Sequence, residues 1–386
     1  MSFKQKFLII TFEICLILFF IWFTFYGGFL IGSHFNEGWY VSEDGYNFIE
    51  SARLFKDKGI DVFIKSELAR QASLNYIFTI VLISFLIEFE NWGYIFLGIN
   101  LTLYLISYYI LKSFLKKLAQ KTDFFYLSVI LIFFYFSNYE NYFYVRLILS
   151  DCIFTFFVLF MFVKFHENRS FFNNFMLITS ILLIFFINPK FIAILFFLVF
   201  YYFIKVLIIN NRFINKDFFA TTIFFSYLVG LLIWSILYSN LNFIDSFKGD
   251  IFREIENFYL DGTVIFKRTN INYLSDDINI IKIFYLGILR SFSFFQFWSF
   301  DWDLKHNIVN LISIGPLYLA NIFNIYNFNK YSKNDKKIII SITSIIIAFT
   351  FMSSITAVDY DWRYRYPLYS ILIIGLMVFI KEKIKR

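Results

Sequence analysis

One short acidic stretch interrupts a chain that is otherwise mostly hydrocarbon: Ser42-Glu43-Asp44-Gly45-Tyr46-Asn47-Phe48-Ile49-Glu50-Ser51-Ala52-Arg53, directly after the first hydrophobic segment. Phe48, Ile49, Ala52 and Phe55 recur at helical spacing. That spacing predicts a helix over 45–56 lying along a membrane surface, with Asp44 at or just before its N-terminus. A carboxylate held there can act as a base on a substrate arriving from water while a lipid-linked partner arrives from the bilayer. Asp is also a common helix N-cap, so the local pattern leaves both roles open.

Further charged residues fall at the ends of later apolar segments. Arg146 and Asp151 lie in Tyr144-Val145-Arg146-Leu147-Ile148-Leu149-Ser150-Asp151, Lys190 follows Pro189, and Arg363, Tyr364 and Arg365 precede Pro367. Interfacial Arg and Lys snorkel, and Tyr and Trp form aromatic belts, so each has an ordinary explanation. Three features point beyond it. The cations lie on the side that the positive-inside rule depletes. Asp151 is expected about one turn inside a span, where a charge is costly. Two Arg also stand just before a Pro able to open a helix at its first turn. Outer-side guanidinium and ammonium groups suit an anionic headgroup such as a phosphate.

The elements that must position these residues are membrane helices. Of 386 residues, 59% are hydrophobic, 24% aromatic and only 16% charged, against about 25% charged in a soluble domain. Runs such as Ile181–Ile187 and Phe191–Phe203 lack the polar/apolar alternation of barrel strands, which leaves helices as the spanning element. Expected spans are 7–31, 73–90, 93–113, 124–139, 145–164, 171–187, 190–209, 217–239, 306–328, 337–354 and 366–381, with 279–299 as a span or an interfacial helix. The fold class is therefore all-α: a polytopic integral membrane protein with about 10–12 transmembrane helices, 1–386 forming a single transmembrane domain. Its first outer loop, 32–72, is amphipathic, and a long outer loop covers 240–305.

The net charge of +7 comes from basic residues in short loops, which argues for membrane topology and against nucleic acid as a partner. Lys112–Lys121, Lys164–Arg169, Lys205–Lys216, Lys330–Lys337 and the Lys381–Arg386 tail are expected to be cytoplasmic. One parity conflict remains. If 73–90 and 93–113 both cross, an outer loop cannot lead to the basic loop at Lys112–Lys121, so one segment is re-entrant or that loop breaks the rule. Cys15 and Cys152 lie inside expected spans, and His34, His166 and His306 are scattered, so neither a disulfide nor a His-based metal site is expected.

Taken together, the motifs resemble those of GT-C-fold glycosyltransferases, close to the protein O-mannosyltransferases and aminoarabinose transferases that use polyprenyl-phosphate sugars. Asp44, Phe48 and Ala52 hold the positions of that family's first-loop Asp, the aromatic four residues later and the small residue eight later. Arg146, Ser150 and Asp151 resemble its Arg followed by a Ser-acid pair. Arg363-Tyr364-Arg365-Tyr366-Pro367-Leu368 matches its motif before the final span. Where many relatives have Glu after the Asp, Gly45 stands here and Glu43 precedes, which leaves a second acid and a divalent metal open. The resemblance implies a bacterial inner-membrane enzyme with its site facing the periplasm or exterior. Asp44 is the expected base with Glu43 the other acid, and Arg146, Asp151, Lys190, Arg363, Arg365 and Tyr364 would bind substrate. The implied partners are a polyprenyl-phosphate sugar donor, a lipid, polysaccharide or protein acceptor, and the lipid bilayer. A lipid-carbohydrate flippase or a polysaccharide polymerase is the alternative.

Overall fold

The structure, a computed structural model, describes residues 3–26, 41, 43–65, 76–119, 124–167, 170–188, 190–210, 224, 227–233, 280–295, 304–355 and 365–384. Arg363, Tyr364, Pro189, most of the expected span 217–239 and most of loop 240–305 lie outside the described residues. The chain packs as two compact units, one comprising Met1–Pro189 with Tyr366–Arg386 and the other Lys190–Arg365.

In the first unit, helix α1 (Phe3–Tyr26) is followed by α2 (Glu43–Lys65), α3 (Ile77–Leu86), α4 (Trp92–Leu118), α5 (Phe124–Phe136), α6 (Tyr139–Arg146), α7 (Asp151–His166) and α8 (Phe171–Ile187). α1 runs antiparallel to α4: Glu13 meets Lys112 at 2.5 Å, and the Phe20 ring stacks on Tyr104 at 4.5 Å. Phe7, Leu8, Ile14, Leu18 and Trp22 of α1 are exposed, as are Phe171, Phe175, Ile178 and Leu182 of α8. Such apolar faces suit contact with lipid.

The two segments of the parity conflict differ in length. α3 has 10 residues, about 15 Å of helix, half of the roughly 30 Å that a bilayer core requires. α4 has 27 residues, about 40 Å, and is long enough to cross. Tyr76 at the start of α3 touches Phe48 of α2 with ring centroids 4.8 Å apart. Glu88, just past the end of α3, pairs with Lys56 of α2 at 3.1 Å. α3 therefore lies beside α2 in the same direction. α2 reaches this position by bending at Gly59, whose φ of 78° is one that other residues rarely adopt. The bend sets the Phe63 ring against Phe55 at 6.1 Å.

The opposite face of the unit is basic. Glu167 accepts hydrogen bonds from Lys117 at 2.5 Å and Lys164 at 2.7 Å, clasping the ends of α4 and α7. The final helix, α14 (Tyr369–Ile384, numbered after those of the second unit), joins this end. Ile373, Ile374 and Met377 line a cavity with Leu111, Leu115 and Leu118, and Lys381 and Lys383 follow in its last turn. The two basic loops assigned to one face from charge alone, Lys112–Lys121 and Lys164–Arg169, do share one.

The second unit holds α9 (Phe191–Asn210), a helical stretch 227–233, α10 (Ile280–Phe294), α11 (Leu304–Ser313), α12 (Gly315–Tyr326) and α13 (Lys333–Ile355). α9 lies along α13, with Phe196 edge-on to Phe351 at 4.8 Å. Tyr227, Ser291 and Ser354 join three helices through mutual hydroxyl hydrogen bonds. Gly230 and Gly287 allow the close approach: an added Cβ would meet Phe351 at 3.1 Å and Leu231 at 3.2 Å respectively. The expected span 306–328 is two helices divided by a turn at Ile314.

Among the described residues there is no strand. Four stretches are long and apolar enough to cross a membrane: Phe3–Tyr26, Trp92–Leu118, Asn307–Tyr326 and Lys333–Ser354. The protein is an all-helical membrane protein.

Candidate functional site

The end of the first unit away from the basic clasp is built around a break between helices. The segment 145–164 reads as one span, yet α6 stops at Arg146, residues Leu147–Ser150 are not helical, and α7 starts at Asp151. Breaking a helix exposes carbonyls that lipid cannot satisfy. Asn100 of α4 supplies the missing donors. Its Nδ2 donates to the carbonyls of Val145 at 3.2 Å and Leu147 at 3.1 Å. Asn188, capping the C-terminus of α8, donates from Nδ2 to Ser150 Oγ at 2.8 Å.

This geometry corrects the expected place of Asp151. It is the first residue of α7 rather than a residue one turn inside a helix, and it is fully buried. A carboxylate there faces the positive end of the helix dipole, and Arg146, also buried, closes α6 at that helix's negative end. The two charges flank the four-residue break. The break packs against Tyr366, whose ring lies 4.4 Å from Tyr144. Beneath it, Tyr104 and Tyr135 exchange hydroxyl-to-carbonyl hydrogen bonds, and Asn141 donates to both. A cavity of about 10 Å³ there, lined by Tyr104, Asn141, Cys152, Thr155 and Tyr366, has the size of one water, not of a sugar.

The acidic pair opens α2. The helix begins at Glu43, two residues before the expected start at 45, so Asp44 lies within its first turn rather than capping it. The helix that follows them is two-faced. Gly45, Phe48, Ile49, Ser51 and Ala52 are buried, while Tyr46, Asn47, Glu50 and Arg53 are exposed.

In the second unit, Lys190 is the first residue and Arg365 the last, and both are buried. Among the described residues, no trio of His, Cys, Asp or Glu is grouped to hold a metal ion. Outside the membrane-spanning segments, partial burial pushes the Glu167 carboxyl up, but hydrogen bonds and charge from Lys117 and Lys164 outweigh it and hold it below its ordinary value.

Asn100 and Asn188 were not singled out from the sequence, and Ser150 entered only through the family resemblance. An Asn within an otherwise apolar span, as in Leu97–Leu103, is the signal that could have found Asn100, because a polar side chain at that depth needs a partner. No family model, curated protein or solved structure matches the chain.

Proposed function

We propose that this protein is a GT-C-type glycosyltransferase with about 10–12 membrane spans, moving a sugar from a polyprenyl-phosphate donor to an acceptor on the non-cytoplasmic face. The observation that carries the reading is a pair of buried charges, Arg146 and Asp151, flanking a break between two helices at the non-basic end of the first unit. Asp44 stands in the first turn of α2, in the same unit.

In this reading Asp44 takes the proton of an acceptor hydroxyl or amine as that atom attacks the anomeric carbon. The bond from that carbon to the phosphate oxygen breaks, and its electron pair leaves with polyprenyl phosphate. The proton then passes from Asp44 to water. Arg146, with Arg363, Arg365 and Lys190 assigned from the family pattern, offsets the charge growing on the leaving phosphate. One such preorganised donor is worth about 3–4 kcal/mol. Asp44→Asn tests the reading: glycan product, measured by mass spectrometry of cell-surface lipids and glycans, falls about 10²–10⁴-fold at unchanged protein level. The exposed-face control Glu50→Gln retains it. Parental product from Asp44→Asn would instead favour a flippase or a different base.

A further inference from the structure

Many buried hydroxyls in this chain follow one habit. Thr24, Ser84, Ser107, Ser128, Ser180 and Thr343 each donate to a carbonyl three or four residues back in their own helix. Thr155 of α7 departs from it: it is buried, and its hydroxyl has no hydrogen-bond partner. Ser51, Thr79 and Ser344 share that condition. Thr155 differs in lining a cavity, the void of about 10 Å³ beneath the helix break.

The wall of this void also includes Tyr104 and Ser107 of α4, Tyr135 of α5 and Cys152 of α7. Each has given its proton to a backbone carbonyl: Tyr104 to that of Tyr135, Tyr135 to that of Tyr104, Ser107 to that of Leu103 and Cys152 to that of Asn100. Their oxygens and sulfur therefore bring lone pairs to the wall and no proton. Thr155 brings the reverse, a proton not yet spent. No charged side chain lines the void, so a neutral occupant suits it better than an ion.

We propose that one resident water fills this void, accepting from Thr155 and donating to the hydroxyl oxygens of Ser107 and Tyr135. A void one water across sets its occupant against the whole wall, and about three hydrogen bonds are usual for a buried water. The water joins α4, α5 and α7 at the first turn of α7, where Cys152 directly follows the buried Asp151. The inference is independent of the proposed transferase activity.

The test is a high-resolution experimental map of the full chain in detergent, together with thermal unfolding of Thr155→Val. The map is expected to show one oxygen peak in the void, about 2.7–3.0 Å from Thr155 Oγ1. Valine keeps the shape of threonine and removes the donor, so Tm falls by about 2 °C and the peak weakens or disappears. In a dry void, valine would instead relieve the protein of an unsatisfied hydroxyl, and Tm would hold or rise. That result overturns the proposal. So does a void without a peak in a map that shows other buried waters, or a Thr155 hydroxyl found donating to the Asp151 carbonyl. If Thr155→Val fails to fold, the parental map alone decides.

Discussion

Asn188 and Ser150 are joined by a hydrogen bond of 2.8 Å that ties the C-terminal end of α8 to the N-terminal cap of α7. Ser150 precedes Asp151 directly, so this bond sets where the buried carboxylate begins its helix. Removing either side chain costs about 1–2 kcal/mol. In a double-mutant cycle of Asn188→Ala and Ser150→Ala, read by thermal unfolding, the double loses less than the sum of the singles. Additive losses would mean that the bond carries no energy of its own.

Asn100 is expected to matter more. Its one amide serves two carbonyls of the break, so Asn100→Leu leaves both without a donor in an apolar setting. That loss amounts to about 2–4 kcal/mol. Asn100→Asp retains shape but replaces the donor with an acceptor and fails to rescue. Unfolding of the purified variants measures this, and parental stability of either would refute the capping role.

Glu13 and Lys112 form an ion pair between α1 and α4, with the carboxylate nearly buried and the ammonium about a quarter exposed. Removing the acid alone leaves Lys112 uncompensated, so Glu13→Ala costs about 2–3 kcal/mol, below the full cost of breaking a buried pair because Lys112 still reaches solvent. Glu13→Leu with Lys112→Leu recovers most of that loss. A double variant as unstable as Glu13→Ala would show that the charges themselves are not what holds the helices.

The Lys117–Glu167–Lys164 clasp predicts a pH dependence. The Glu167 carboxyl is lowered from its ordinary value of 4.5 by the folded structure. Its contribution is therefore fully present above pH 4.5, the unfolded value, and is lost as pH falls through the lower folded value. Thermal unfolding of Glu167→Gln against parent should show a gap at neutral pH that closes in acid. A gap that widens in acid would reverse the sign and exclude the clasp as its source.

Hydropathy was enough to read a helical membrane protein, to bound α8 at 171–187 and to group two basic loops on one face. Transfer into lipid depends on which side chains are present and on little else, so these properties are local. Two features of the candidate site were not local. The segment Leu147-Ile148-Leu149-Ser150 has no Pro or Gly and reads as the continuation of a span. It breaks because an amide about 45 residues earlier in the chain, on Asn100, satisfies the carbonyls that the break frees. Similarly, 73–90 is apolar enough to look like a crossing. Contacts of Tyr76 and Glu88 with Phe48 and Lys56 keep a helix of only 10 residues, α3, beside α2. Amino-acid type determined which segments enter the membrane. Long-range hydrogen bonds and packing decided where the backbone stops and bends, because an unsatisfied carbonyl in lipid costs more than any local preference for helix.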